Sequence, residues 1–127
     1  MKMTLVLLNL VFGSLAFAHG DNKPGPHGGY IEMPGAFHTE VVPDPDGSFH
    51  IYLLDVEFKN PSTKESSVQA SLASGSKKSE LKCEVMEPAH FHCVPPGKTF
   101  KAKELVVTAK REKMQGNAVK YKLPLSR

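Results

Sequence analysis

The chain has 127 residues, of which 40% are hydrophobic and 23% charged, and its formal net charge is +3. This length fits one domain with a modest core. After the N-terminal segment, no apolar run approaches the ~20 residues of a membrane-spanning helix. We therefore expect neither a second domain nor a stable membrane anchor.

The first 18 residues have the parts of a secretory signal peptide. Lys2 supplies a positive charge, residues 5–15 form an apolar run, and residues 16–18 (AFA) have the small-x-small pattern of a cleavage site. We expect cleavage after Ala18, which removes 18 of the 127 residues and leaves 109. The product is then a periplasmic or secreted protein. Nucleic acid is not an expected partner there, although residues 98–127 are basic.

Residues 19–29 are polar and rich in glycine and proline, which predicts a flexible N-terminal arm. The folded domain should then cover residues 30–127. It begins with a strand at Tyr30 to Met33, followed by a turn at Pro34 and Gly35.

A β-hairpin is predicted from residues 37–54. The turn is residues 43–47 (PDPDG), with proline and glycine at the positions a tight turn favours. Matching the apolar faces of the two strands requires opposed residue numbers to sum to 92, which pairs Glu40 with Tyr52. On this register His38, Glu40 and His50 project from the face opposite the apolar one.

The two cysteines lie in a second predicted hairpin, around the turn at residues 87–89. Its register places Cys83 opposite Cys93, at a separation that a disulfide tolerates. In an exported protein such a pair favours a disulfide. Two thiolate metal ligands are the alternative.

The other segments alternate in the same way. Val68, Ala70 and Leu72 face inward, then Leu81, Cys83 and Val85, with a polar turn at residues 74–79 between them. Residues 105–109 pair with 119–123 around a turn at 115–117. Because no segment shows a helical period, we predict an all-β fold, an immunoglobulin-like antiparallel sandwich of about seven or eight strands.

The histidines form three candidate metal sites. If His19 is the first residue of the mature chain, its α-amine and imidazole can chelate copper(II) together. On the hairpin face, His38 and His50 are within cross-strand reach of one ion, with His27 as a further ligand and Glu40 as ligand or orienting partner. His90 and His92 share one side of their strand and form a secondary site. The alternatives are an accidental histidine in a disordered arm for His19, and an exposed polar edge for His90 and His92. For the hairpin, the alternative is a polar sheet face or a hydrogen-bonded structural role.

Three motifs along the chain resemble those of small exported bacterial proteins associated with heavy-metal efflux systems. The motifs read HGG at residues 27–29, H-x-E at 38–40 and Y-L-x-D at 52–55. This resemblance implies that His27, His38 and Glu40 are functional. His19 and the expected fold bear a weaker similarity to periplasmic copper carriers of the copper-resistance type.

Two functions remain open. The first is a periplasmic copper- or zinc-binding protein that acts as a carrier, buffer or sensor, with an envelope metal-efflux component as its partner. The second is a non-catalytic, immunoglobulin-like envelope interaction module with incidental histidines. An enzyme is not expected, because no serine lies in a nucleophile elbow and no carboxylate pair or Cys–His arrangement is set up for catalysis.

Overall fold

The structure, a computed structural model, describes residues 23–97 and 100–127. Turn signals at short intervals divide this part of the chain into ten strands. They are Tyr30–Glu32 (β1), His38–Pro43 (β2), Phe49–Leu54 (β3), Ser67–Ser74 (β4), Lys77–Glu80 (β5), Lys82–Met86 (β6), His90–Val94 (β7), Glu104–Arg111 (β8), Met114–Gln115 (β9) and Val119–Lys122 (β10). Within these residues the structure contains no helix long and apolar enough to span a membrane.

The strands form two antiparallel sheets, which confirms the predicted all-β sandwich. The first sheet has the order β1-β2-β3-β7-β6, and the second has the order β10-β8-β4-β5 with β9 paired to β8. Alternate residues of both sheets point inward and form one core. The core side chains include Phe37, Val41, Ile51, Leu53, Phe91, Leu72, Leu105, Val107 and Tyr121.

Both predicted hairpin registers are confirmed. Glu40 pairs with Tyr52 across β2 and β3, and Cys83 pairs with Cys93 across β6 and β7. The register follows from the core, since a shift of one residue would turn the apolar face of either strand to solvent.

Two local predictions are wrong. The turn predicted at residues 74–79 is shorter, because residues 77–80 form β5 and pair with β4. The turn predicted at residues 115–117 lies at Glu112 and Lys113, which both have positive φ. Val85 lies on the predicted inner face opposite Phe91, but it is 58% exposed at the edge strand β6.

Cys83 and Cys93 form the predicted disulfide, with Cα atoms 4.0 Å apart. We expect the double variant Cys83→Ala/Cys93→Ala to lose about 2–3 kcal/mol of unfolding free energy, because the bridge closes a short loop in the unfolded chain. Urea unfolding with and without a reductant measures this. The reductant should lower the stability of the wild type to that of the variant and leave the variant unchanged. An equal response of both proteins would contradict the prediction.

Candidate functional site

Five histidines lie on or against the outer surface of the first sheet, which we call the histidine face. Its strand residues come from β2, β3 and β7, and His27 joins them from the segment before β1. The face consists of His27, His38, Glu40, His50, Tyr52, His90 and His92. The β3–β7 register places His50 directly opposite His92, which brings the two histidines of β7 beside the hairpin.

Glu40 is fully buried and accepts three hydrogen bonds from the segment before β1. The backbone N–H groups of His27 and Gly29 each donate to Oε2 at 2.9 Å. Nδ1–H of His27 donates to Oε1 at 2.6 Å. A buried carboxylate needs such donors, since an unpaired charge in the interior is costly. The HGG and H-x-E motifs are therefore joined by these three hydrogen bonds, which we call the Glu40 lock. Both carboxylate oxygens of Glu40 accept hydrogen bonds within it.

This lock holds the last part of the predicted flexible arm against the sheet. Residues 25–29 form a turn in which the N–H of Gly25 donates to the carbonyl of Gly29 at 3.0 Å. A Cβ atom at Gly29 would lie 2.6 Å from the carbonyl oxygen of Val41, so only glycine fits there. Arg127 also donates to the carbonyl of Gly28 at 2.7 Å. These contacts place residues 25–29 against the sheet.

His38 lies apart from the other histidines. Its Nδ1–H donates to the carbonyl of Asp55 at 3.0 Å, and its ring stacks on Phe58 at 4.0 Å. It pairs with Leu54, four residues along β3 from His50. At the rise of a β-strand this corresponds to about 13 Å.

The loop that carries Phe58 is organised by the carboxylate of Asp55. It accepts hydrogen bonds from the N–H groups of Lys59 and Glu57 at 2.9 Å and from Nδ2 of Asn60 at 2.8 Å. The hydrogen bond from Lys59 is the largest factor that holds the pKa of Asp55 below its ordinary value of 3.8.

We expect Asp55→Asn to destabilise the protein at neutral pH and to have little effect in strong acid. Because the pKa is lowered in the folded state, the stabilisation is present above the ordinary value and is lost as the pH falls through the folded pKa. Urea midpoints at pH 7 and at about pH 2.5 test this, with Glu57→Gln as the control for an exposed carboxylate in the same loop. A deficit that persists in acid would contradict the assignment.

His50 and His90 form the closest pair of ring nitrogens on the face. Nδ1 of His50 and Nε2 of His90 are 3.0 Å apart, and Nε2 of His50 lies 3.2 Å from Oδ2 of Asp44. Asp44 accepts the Nε2–H of His50, which leaves the lone pair of His50 on Nδ1. His90 then donates its Nε2–H to that lone pair. Asp44 is itself fixed in the β2–β3 turn, where its Oδ1 accepts the N–H of Asp46 at 3.1 Å.

His92 belongs to a second chain of hydrogen bonds. Its Nε2 lies 2.8 Å from Oγ of Ser48, and that hydroxyl donates to Oδ1 of Asp46 at 2.5 Å. These contacts assign the proton of His92 to Nε2 and leave the lone pair on Nδ1. The hydrogen bond from the Ser48 hydroxyl is the largest factor that lowers the pKa of Asp46.

All rings of the face except that of His38 contact one another in pairs. Tyr52 stacks with His27 at 3.7 Å and with His90 at 4.7 Å, while His50 and His92 stack at 4.6 Å. His90 is only 5% exposed, and its Nδ1 has no hydrogen-bond partner in the described part of the chain. Burial, followed by the neighbouring imidazoles, lowers the pKa of His90. His90 is therefore held as the neutral imidazole, the form that binds metal ions.

The predicted ligands thus divide into separate groups. His27 is joined to Glu40, His38 is stacked under Phe58, and His50 is joined to His90, which the sequence placed in the secondary site. Across residues 23–97 and 100–127, no group of three or more His, Cys, Asp or Glu side chains is arranged to hold a metal ion. The predicted signal peptide and the candidate ligand His19 lie outside the described residues.

Asp44 and Ser48 are the site residues that the sequence analysis missed. Both lie at the turn between β2 and β3, where residues 44–50 read DPDGSFH, with Asp44 six residues and Ser48 two residues before His50. The hairpin register was the available signal, since opposed residue numbers that sum to 92 place Asp44 opposite Ser48 on the side of His50.

Comparison with known proteins gives no match to a protein-family model, a curated protein or a solved structure. The resemblance to exported proteins of metal-efflux systems therefore stays a prediction.

Proposed function

We propose that this chain is an exported copper- or zinc-binding protein, a carrier, buffer or sensor that serves an envelope metal-efflux component. The metal is held between Nδ1 of His50 and Nε2 of His90. The observation that carries this proposal is the 3.0 Å separation of these two nitrogens, combined with the carboxylate of Asp44 on the other nitrogen of His50.

The separation suits two ligands of one ion. Metal–nitrogen bonds of about 2.0–2.1 Å place two ligand nitrogens about 2.9 Å apart at a right angle and about 3.4 Å apart at the tetrahedral angle. In the metal-free protein the Nε2–H of His90 bridges the two rings. A metal ion would take this place once that proton leaves to solvent and His90 carries its proton on Nδ1, the nitrogen without a hydrogen-bond partner in the described residues. The site is thus nearly formed before the metal arrives.

The surroundings of His50 follow the usual pattern around a metal-binding histidine. Such a histidine donates its second ring N–H to a carboxylate or carbonyl, which fixes the tautomer and makes the ligand nitrogen more basic. Asp44 has this role for His50. Residues 19–60, which contain this turn, are acidic overall and favour the approach of cations.

A catalytic role for the Ser48–His92 contact is disfavoured. The hydroxyl of Ser48 lies 2.8 Å from a histidine nitrogen, as in a nucleophile–base pair. Ser48 is only 1% exposed, and its proton is donated to Asp46. A substrate therefore has no access to this hydroxyl. We propose that the domain, which we expect to be immunoglobulin-like, is not an enzyme.

Calorimetric titration of the processed protein with copper(II) and with zinc(II) tests the proposal. We expect one equivalent of at least one of the two ions to bind with a dissociation constant below about 10 μM, or roughly −7 kcal/mol, and His50→Gln to lose this binding, since chelation by His19 would survive that substitution. If neither ion binds this tightly, the alternative of an envelope interaction module with incidental histidines replaces the proposal.

A further inference from the structure

Strand β6 is an edge strand of the first sheet, and one of its two sides is open. Within the described residues its only strand neighbour is β7. Cys83 lies opposite Cys93 with Cα atoms 4.0 Å apart, the close spacing of an antiparallel pair that exchanges no backbone hydrogen bonds. The backbone N–H and C=O groups of Cys83 and Val85 therefore point away from β7. They form a template for one more antiparallel strand.

The inner side of this edge can bury further apolar groups. Val85 lies on the core side of the sheet, opposite Phe91, and is nevertheless 58% exposed. A cavity of about 200 Å³ opens between β4 and the start of β6, and its apolar lining includes Ala70, Leu81 and Cys83. An added strand with an apolar residue at the level of Leu81 would therefore extend the core.

The charges on the outer side of β6 are complementary to a second copy of the same strand. Lys82 and Glu84 are 82% and 69% exposed. In an antiparallel pair of two β6 strands whose opposed residue numbers sum to 166, Lys82 of each copy lies opposite Glu84 of the other. Opposite charges at opposed positions stabilise such a pair, and like charges destabilise it. The neighbouring even sums, 164 and 168, place Lys82 or Glu84 opposite its own copy, so the charges favour 166.

The same register fits the backbone and the inner side. Because the sum is even, inner side chains of one copy meet inner side chains of the other. Cys83 lies opposite Cys83 of the second copy, and their outward N–H and C=O groups can exchange two hydrogen bonds. Val85 of each copy lies opposite Leu81 of the other, and Leu81 lines the cavity. The exposed apolar group of one copy thus meets the open part of the core in the other.

From these observations we infer that a second copy of this chain pairs with β6 and forms a two-fold symmetric dimer. The five strands of each first sheet then join in one continuous antiparallel sheet. Because the symmetry axis is perpendicular to this sheet, both histidine faces lie on the same side of it. The two β7 strands are three strand spacings apart, or about 14 Å. The dimer therefore presents two copies of the His50–His90 pair on one surface.

The dimer should be weak. Only the five residues of β6 and the adjacent Leu81 take part, and the N–H of Leu81 already donates to the carbonyl of Ala70 at 2.9 Å. Such a junction buries less than the ~800 Å² per partner of a standard interface, so we expect a dissociation constant of about 10–100 μM.

Sedimentation equilibrium of the processed protein measures this association, with a chelator present so that no metal ion bridges two copies. Lys82→Glu and Glu84→Lys should each weaken the dimer by about 10-fold or more, because each places like charges opposite one another. An equimolar mixture of the two variants should associate again, since one copy then carries only acids and the other only bases at these positions. The double variant Lys82→Glu/Glu84→Lys should dimerise as the wild type does.

The matched control is Lys120→Glu, which makes the same change of charge on β10, the edge strand of the second sheet. Lys120 is 69% exposed, and this variant should dimerise as the wild type does. A wild type that stays monomeric up to about 1 mM would overturn the inference. A dimer that both single variants leave unchanged, or single variants whose mixture does not associate, would overturn it as well. None of these outcomes bears on the proposed metal binding, which is measured separately.

Discussion

His50→Gln and His90→Gln should each weaken copper(II) or zinc(II) binding by about 100-fold or more, because each removes one of the two ligand nitrogens that the fold brings together. Glutamine keeps approximately the length of histidine and a polar end, so the strands should remain paired. Calorimetric titration of each variant measures the loss, and thermal unfolding without metal verifies that the fold persists.

The matched control is His38→Gln on the same face. His38 lies about 13 Å from His50 along the strands, so this variant should retain wild-type affinity. If His38→Gln weakens binding as strongly as His50→Gln, the metal is held elsewhere on the face and the proposed ligand pair is wrong.

Asp44→Ala should weaken binding by about 10–100-fold, a smaller loss than removal of a ligand. Asp44 does not contact the metal in this account. It fixes the tautomer of His50, and its loss allows the ring to rotate or to exchange its proton. Because Asp44 acts through His50, the double variant Asp44→Ala/His50→Gln should bind no more weakly than His50→Gln alone.

Glu40→Ala should destabilise the protein by about 3 kcal/mol or more, the largest loss of stability that we expect from a polar substitution on this face. The change removes the acceptor of three hydrogen bonds and leaves the backbone N–H groups of His27 and Gly29 without partners. Urea unfolding measures the loss. Hydrogen exchange of the Gly29 amide should also become much faster, because residues 25–29 are released from the sheet.

Glu84→Ala is the control for this substitution. Glu84 lies on the edge strand β6, its side chain is 69% exposed, and its contact with Lys82 is a surface ion pair. The expected loss is below about 1 kcal/mol. Equal unfolding free energies of Glu40→Ala and Glu84→Ala would contradict the prediction, because the hydrogen bonds of Glu40 to the segment before β1 would then not stabilise the fold.

The hairpin registers could be predicted because they depend on neighbouring parts of the chain. Apolar residues alternate on both sides of the PDPDG turn, and one register alone places all of them in the core. The same reasoning placed Cys83 opposite Cys93. It failed at β5, where residues 77–80 are Lys-Lys-Ser-Glu, because an edge strand can be polar throughout and carries no alternation to detect.

The pairing of β3 with β7 could not be predicted in this way. About 40 residues separate His50 from His90, and alternation within each strand does not show which strands are neighbours. For this reason the main metal ligands were predicted to be His27, His38 and His50, and His90 was predicted only as part of a secondary metal site. The position of residues 25–29 depends on the buried carboxylate of Glu40, and glycine and proline content alone favoured a flexible arm.

Nuclear magnetic resonance of the imidazole nitrogens during zinc(II) titration tests the central claim most directly. Before zinc is added, the ¹⁵N shifts should show His50 protonated at Nε2 and His90 at the nitrogen that faces His50. Addition of one equivalent should move the signals of Nδ1 of His50 and Nε2 of His90 together, while those of His38 stay in place. A response confined to other histidines, or none in this pair, would contradict the account.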